Sequence, residues 1–175
     1  MGFTPHPDTL LISLNCAVIT VSDTRTPDTD RSGRLLQQLL GEAEHPVTAY
    51  FILPDQPAQI ESQLYLLGNR ADVDVIILNG GTGIAPRDTT YDVVERVLEK
   101  TLPGFGEIFR WLSYAEIGSR AIASRAIAGV FQETVIFSLP GSSNAVLLAM
   151  QKLILPEIRH LVSQLRTGND NNLPS

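Results

Sequence analysis

Val75-Ile-Ile-Leu-Asn-Gly-Gly-Thr-Gly-Ile-Ala-Pro-Arg-Asp-Thr-Thr90 joins an apolar, β-branched run to a glycine-rich turn and then to a polar helix start. The run has the length and composition of a fully buried strand, the kind found in sheets covered on both faces. Gly80, Gly81 and Gly83 let the backbone approach a ligand closely. A glycine-rich turn between strand and helix can aim several N–H groups at one anion. Asp88 adds a hard oxygen ligand of the type magnesium prefers. The stretch therefore reads as a phosphate and metal site at the carboxyl end of a strand. Two standard phosphate motifs do not fit. A P-loop closes on Gly-Lys-Ser/Thr and this turn has no lysine; a dinucleotide fingerprint needs Gly-x-Gly-x-x-Gly, and Pro86 stands where the last glycine belongs.

Outward from this stretch, strands and helices alternate. Leu14–Val21 reads as a first buried strand, followed by the polar loop Ser22–Asp30 and a helix over Ser32–Leu40 with Gly41 as its stop. Val47–Leu53 reads as a second strand and Pro57–Ala71 as a second helix, with Ile60, Leu64 and Leu67 on one face. Val73–Leu78 is the third strand, and residues 90–99 form a third helix, with Thr89 and Asp92 in a short capping-box pattern. Residues 104–128 are irregular and helical in parts. Thr134–Leu139 is a further strand, Pro140-Gly-Ser-Ser143 its exit turn, and a long helix from Asn144 bends near Pro156. This order predicts an α/β fold, a three-layer α/β/α sandwich with a mostly parallel sheet. Residues 13–167 form one domain, with a flexible arm at 1–12 and a disordered tail at 168–175.

In such folds ligands bind beyond the carboxyl ends of the strands, at a switch in strand order. Three polar loops follow predicted strands and so share one edge: Ser22-Asp23-Thr24, Gly80-Gly81-Thr82-Gly83 and Pro140-Gly141-Ser142-Ser143. Each component also has a plainer reading. Asp55 suits a helix N-cap ahead of Pro57. Asp23 and Asp28 suit caps or solvated loop positions, and Ser142 and Ser143 suit the cap of the last helix. Arg110, Arg120 and Arg125 suit solvated charge, and Phe109 and Trp111 suit core or subunit contact.

The 175 residues are 43% hydrophobic and carry a net charge of −6, enough for a full core and the wrong sign for a nucleic-acid surface. A small phosphorylated ligand remains compatible, since a divalent cation can neutralise it. Of 13 basic residues only Lys100 and Lys152 are lysine; the other 11 are arginine, the better partner for planar anions. The single Cys16 reads as a buried hydrophobe in a reducing compartment. His6, His45 and His160 lack zinc-ligand spacing. No apolar run reaches the roughly 18 residues of a membrane span, no signal-like segment opens the chain, and His6 stands where a myristoylation motif wants Ser or Thr. The expectation is a cytoplasmic protein without nucleic-acid or membrane partners.

Asn79-Gly-Gly-Thr-Gly-Ile-Ala-Pro-Arg-Asp-Thr-Thr90, Gly104-Phe-Gly-Glu-Ile-Phe-Arg110 and Leu139-Pro-Gly-Ser-Ser-Asn-Ala145 together resemble, in order, the signatures of the molybdenum cofactor biosynthesis MoaB/Mog family. The resemblance spans roughly residues 14–165, and the run Arg110–Gly129 is more similar to the MoaB branch. It implies a sandwich fold assembled as a trimer or hexamer. The implied activity is adenylylation of molybdopterin by ATP with magnesium (manganese would fit the same ligands), giving adenylyl-molybdopterin and pyrophosphate. It also implies the molybdate-inserting enzyme as a partner. Asp55 and Asp88 fall on the family's two important acidic positions and are the expected catalytic and metal residues. Ser22, Asp23, Gly80, Gly81, Thr82, Gly83, Arg87, Pro140, Gly141, Ser142 and Ser143 are the expected substrate and phosphate contacts. A non-catalytic molybdopterin carrier and an oligomeric scaffold are the competing readings. One departure from the Mog-like pattern, Tyr91-Asp92 in place of Pro-Asp, touches the helix start more than the chemistry.

Overall fold

A computed structural model describes residues 12–170. Six strands form one sheet: β1 Cys16–Val21, β2 Val47–Leu53, β3 Val75–Asn79, β4 Lys100–Thr101, β5 Ile127–Phe131 and β6 Thr134–Leu139, in the order β2-β1-β3-β6-β5-β4. The four strands β2, β1, β3 and β6 run parallel, while β5 is antiparallel to β6 and β4 to β5. The helices are α1 Arg31–Glu42, α2 Pro57–Gly68, α3 Thr90–Val97, α4 Pro103–Ile117, α5 Ser143–Ala149 and α6 Leu155–Asp170. A 3₁₀ segment, Gly118–Ala123, follows α4, and a π-helical turn, Met150–Ile154, joins α5 to α6.

The three layers follow from strand alternation. Cys16 and Val18 of β1, Val75 and Ile77 of β3, and Val135, Phe137 and Leu139 of β6 face a core closed by Leu36, Leu39 and Leu40 of α1, Phe109 of α4, Val146 of α5 and Ile158 of α6. The alternate residues Ala17, Ile19, Val21, Ile76, Leu78 and Ile136 face the second core, closed by Ile60, Leu64 and Leu67 of α2 and Val93, Val94 and Val97 of α3. Buried on both sides, the central strands carry no polar face, which is why their sequences read as unbroken apolar runs. Cys16 lies inside this core as expected, and burial pushes its thiol up to about 12.

Several boundaries differ from the sequence reading. The irregular stretch at 104–128 resolves into α4, the 3₁₀ segment and most of the approach to β5, so the sheet gains an antiparallel edge that the periodicity did not signal. α2 ends three residues early, at Gly68, where the Asn69 side-chain amide donates to the Tyr65 carbonyl and closes the last turn. The irregularity expected near Pro156 is present, as a turn that ends just before it. Pro156 clashes with the carbonyl four residues back, and the π turn at Met150–Ile154 takes up that misfit. α6 continues to Asp170; the remainder of the expected tail, and the expected arm apart from Ile12, lie outside the described residues. Among the described residues no helix is long and apolar enough to cross a membrane.

The sheet order places a switch between β1 and β3: the chain goes outward from β1 to β2, then returns to the other side of β1. The loops after β1, β2, β3 and β6 leave from the same edge at that switch, so the fold delivers four loops to one place.

Candidate functional site

The loop after β3 is held in an unusual backbone path. Gly80 and Gly81 both have positive φ, 97° and 63°, a region open to glycine and strained for other residues. A side chain at Gly80 would overlap the Val21 carbonyl, and one at Gly81 would overlap the Asp55 carboxylate and the Thr90 hydroxyl. The Gly80 N–H donates to the Leu139 carbonyl (3.0 Å), tying the loop to the end of β6. Gly81 accepts from the Thr90 N–H at 2.9 Å, which anchors the loop to α3. The N–H groups of Gly81, Thr82 and Gly83 make no hydrogen bond among the described residues. They are the donors this turn can offer to an anion.

Asp55 is not a helix cap. The N-cap of α2 is Gln56, without a side-chain capping bond. The Asp55 carboxylate instead accepts from the Thr89 N–H at 3.1 Å and from the Thr89 hydroxyl at 2.6 Å. This also accounts for the failed capping pattern at α3: Thr89 makes no side-chain cap bond because its hydroxyl is engaged by Asp55. The Asp55 N–H donates to Asp23 Oδ1 at 3.2 Å, and the other Asp23 oxygen pairs with Arg87. Arg87, Asp23, Asp55 and Thr89 thus form a chain linking the loops after β1, β2 and β3. Asp88 accepts from the Ala85 N–H at 3.0 Å, and its carboxylate lies over Gly83, where a Cβ would overlap it.

The fourth loop closes against the first. Gly141 packs on Gly80, whose Cα would be 3.0 Å from a Gly141 side chain. Ser142 caps α5, its hydroxyl accepting from the Ala145 N–H at 3.2 Å. Ser32 donates to the Gly141 carbonyl at 2.7 Å; that uses its one hydrogen, so Ser143 is the donor in the 3.3 Å contact between the two hydroxyls. In the first loop the Ser22 hydroxyl accepts from the N–H groups of Thr24 and Arg25. The fold therefore brings every sequence-selected loop to one edge of the sheet.

Sequence reasoning passed over residues that line the adjoining cleft. About 240 Å³ in volume, it is bounded by Thr20, Ser22, Thr24, Arg25, Asp30, Ser32, Asn79, Gly80 and Gly141. Asp30, not Asp23 or Asp28, caps α1, accepting from the Gly33 N–H at 2.9 Å and from the Tyr50 hydroxyl at 2.6 Å. Burial, reinforced by that bond, holds the Tyr50 phenol above its ordinary range, so it stays a donor. Asn79 is buried at the end of β3 and donates to Thr20 Oγ1 at 2.9 Å. A buried amide closing an apolar run was the available signal. Thr90 gave none: its hydroxyl is fully buried without a hydrogen-bond partner, beside Gly81 and Asp55.

Among the described residues no three His, Cys, Asp or Glu side chains cluster to hold a metal by themselves, so a cation here would need oxygens from a ligand or water. Two carboxylates, Asp55 and Asp88, crowd the glycine turn, and the orphaned Thr90 hydroxyl adds an oxygen beside one of them. Magnesium commonly takes one or two protein carboxylates and completes its shell with water and substrate oxygens.

Over residues 17–160 the chain matches the family model described as the probable molybdopterin binding domain. It is 53% identical over 154 residues to molybdenum cofactor biosynthesis protein B of Halalkalibacterium halodurans, covering 87% of this chain and 91% of that protein. Identity and coverage are the same for the protein of that name from Bacillus subtilis. Among solved structures, a crystal structure of molybdenum cofactor biosynthesis protein B superposes with a TM-score of 0.87 at 50% identity, over 89% of this chain and 98% of that one. The tungsten cofactor synthesizing protein MoaB of Pyrococcus furiosus gives a TM-score of 0.79 at 35% identity, over 88% and 98%.

Proposed function

The chain belongs to the molybdenum cofactor biosynthesis family of molybdopterin-binding domains, and from that premise we propose that it binds molybdopterin and Mg-ATP at the four-loop edge and adenylylates the pterin. In this reaction an oxygen of the terminal phosphate of molybdopterin attacks the α-phosphorus of ATP. The bond from that phosphorus to the bridging oxygen breaks, and pyrophosphate leaves with the electron pair. The nucleophile is already an anion at neutral pH, so no general base is required. Repulsion between anions, and charge growing on pyrophosphate, set the barrier; positioning and electrostatics lower it. A site rich in carboxylate, glycine and hydroxyl groups suits that demand.

The observation that carries this reading is the glycine turn itself. Three unbonded N–H groups at 81–83 lie beside two carboxylates, Asp88 of the same loop and Asp55 of the loop after β2. Such a pairing of donors and acids would repel a lone anion or a lone cation less than it would favour the two together. Asp55 and Asp88 would hold magnesium, which when bound offsets phosphate charge. Thr89 keeps the Asp55 carboxylate turned toward the turn. Ser142, Ser143 and the start of α5 would take the far end of the ligand, and Arg87 and Asp23 close the side between.

We further propose homo-oligomer assembly through α4. Phe109 and Ser113 face the core, while Ile108, Trp111, Tyr114 and Ile117 form an exposed stripe at spacings of three residues; Trp111 is 72% exposed. Apolar surface of this kind on a folded chain marks a contact face.

The deciding experiment incubates purified protein with molybdopterin, ATP and magnesium and follows adenylyl-molybdopterin by chromatography. Product in excess of enzyme is expected, with Asp88→Asn lowering turnover about 100-fold or more while molybdopterin still binds. Tight pterin binding without product from the wild-type protein would replace the enzyme by a carrier.

A further inference from the structure

Arg125 follows the 3₁₀ segment and reaches the glycine turn at Gly83. Its Nη1 donates to the Gly83 carbonyl at 3.0 Å, and its Nη2 to Asp92 Oδ1 at 2.5 Å. The guanidinium carbon lies 4.3 Å from the centroid of the Tyr91 ring. The side chain is only 26% exposed, unlike the solvated charge its sequence context suggested. One planar cation therefore binds a backbone carbonyl, a carboxylate and an aromatic face at once. A fork with a stacking surface can do this, and a lysine ammonium cannot.

These contacts fix a particular peptide. The Gly83 carbonyl and the Ile84 N–H belong to one planar trans unit and point in opposite directions. Holding the carbonyl toward Arg125 turns the Ile84 N–H away from it. Gly83 is also the residue whose Cα faces the Asp88 carboxylate, so Gly83 sits between a cation on its carbonyl and an acid on its Cα. Asp92 and Tyr91 lie in the first turn of α3, so the same side chain ties the turn to the helix that follows it.

We propose that Arg125 is a positioning residue: it clamps Gly83 to the start of α3, so that the N–H groups of the turn face a bound phosphate while Asp88 faces the cation that would accompany it. One N–H of each Nη group is engaged by a protein partner, and on those two bonds we assign Arg125 as a support of the loop; its three other N–H donors are what the Mg-ATP binding arm of the test addresses. The role in phosphate binding rests on the adenylylation reading above; the clamp on the turn does not.

The test compares wild type with Arg125→Ala, Arg125→Lys and Asp92→Asn by hydrogen exchange of the hydrogen-bonded amides of this loop, Ala85, Asp88, Thr89 and Thr90, thermal unfolding, and steady-state kinetics. In Arg125→Ala, exchange in this loop should rise about tenfold while the unfolding midpoint and exchange in β1 and β3 stay close to wild type. kcat should fall about tenfold or more, with a smaller change in KM for ATP. Arg125→Lys should restore little, since a single ammonium cannot hold carbonyl, carboxylate and ring together. Asp92→Asn should keep most of the protection, because the Gly83 contact remains. Unchanged loop exchange in Arg125→Ala overturns the proposal, as does a rise spread evenly over the whole protein. Lost Mg-ATP binding with a fully protected loop also overturns it, by making Arg125 a direct ligand. If the wild-type protein shows neither turnover nor molybdopterin binding, the adenylylation reading fails, and the exchange data alone still decide the clamp.

Discussion

Gly81 concentrates the residue-scale physics of the site. Its φ of 63° excludes most side chains, and the space where a Cβ would stand is filled by the Asp55 carboxylate and the Thr90 hydroxyl. Gly81→Ala therefore adds backbone strain of about 2 kcal/mol, which for a chain of this size corresponds to a midpoint lower by roughly 4–8 °C. It should also push Asp55 off Thr89. The expected result is a lowered midpoint together with a loss of Mg-ATP affinity larger than the stability loss explains, read by calorimetry at a temperature where the variant is folded. Unaltered affinity would show that Asp55 is not part of the ligand site. The glycines and Asp88 stood out in the sequence by type and by their place after a strand; Asp55, by itself a plain helix cap, was singled out only by the family resemblance. The Thr89 hydroxyl, the orphaned Thr90 and the Arg125 clamp did not stand out. Thr89 and Arg125 act on partners 33 to 42 positions away, and a threonine beside a helix start or an arginine in a polar connection has a local use that explains it equally well.

At the scale of elements, the short approach to β1 is pinned by the loop between α1 and β2 and by α6. The Leu14 N–H donates to Nδ1 of His45 at 3.0 Å, Ser13 donates to the Glu44 carbonyl, and Arg159 of α6 donates to the carbonyls of Ile12 and Ala43. His45 is 1% exposed, and it can accept this bond only as neutral imidazole. Its pKa is lowered from 6.5, first by burial and then by Arg159, against weaker opposing effects of Asp74 and Glu44. The sign follows from linkage: the unfolded chain takes up the proton more readily, so the His45 contribution is present above about 6.5 and is lost as pH falls below it toward the depressed folded value. Denaturation midpoints should therefore fall between pH 7.5 and 5.5, and His45→Gln, whose amide oxygen can still accept from Leu14, should flatten that fall. Parallel curves for the two proteins would remove His45 as the cause. The sequence offered His45 only as a histidine without zinc partners. It likewise concealed β5, since Ile127–Phe131 lies against α-helical sequence and pairs with a β6 that seemed complete by itself.

The whole molecule divides its labour between an edge and a flank. Four loops meet at the strand-order switch, which the alternation of strands and helices made legible, because topology rules leave few places for loops that follow parallel strands. The flank is α4, whose second apolar stripe has no counterpart among the described residues. A sequence with apolar residues on two sides of a helix does not say which side meets the core; the structure gives that side to Phe109 and leaves Trp111 outside. Exposed Ile122 stands on the 3₁₀ segment that follows α4, three positions before Arg125. If α4 carries the proposed assembly, a charge at its centre should separate the subunits without unfolding them, since Trp111 makes no contribution to the core. Trp111→Glu should shift sedimentation from oligomer to monomer at micromolar concentration, with far-ultraviolet dichroism unchanged. Unfolding of that variant would assign Trp111 to the stability of the subunit itself. An oligomer that persists in the folded variant would move the contact to another face. If the subunits do separate, exchange of the Ala85, Asp88, Thr89 and Thr90 amides in the monomer tests whether the flank supports the edge through Arg125: protection retained in the monomer means that each subunit holds its own turn unaided.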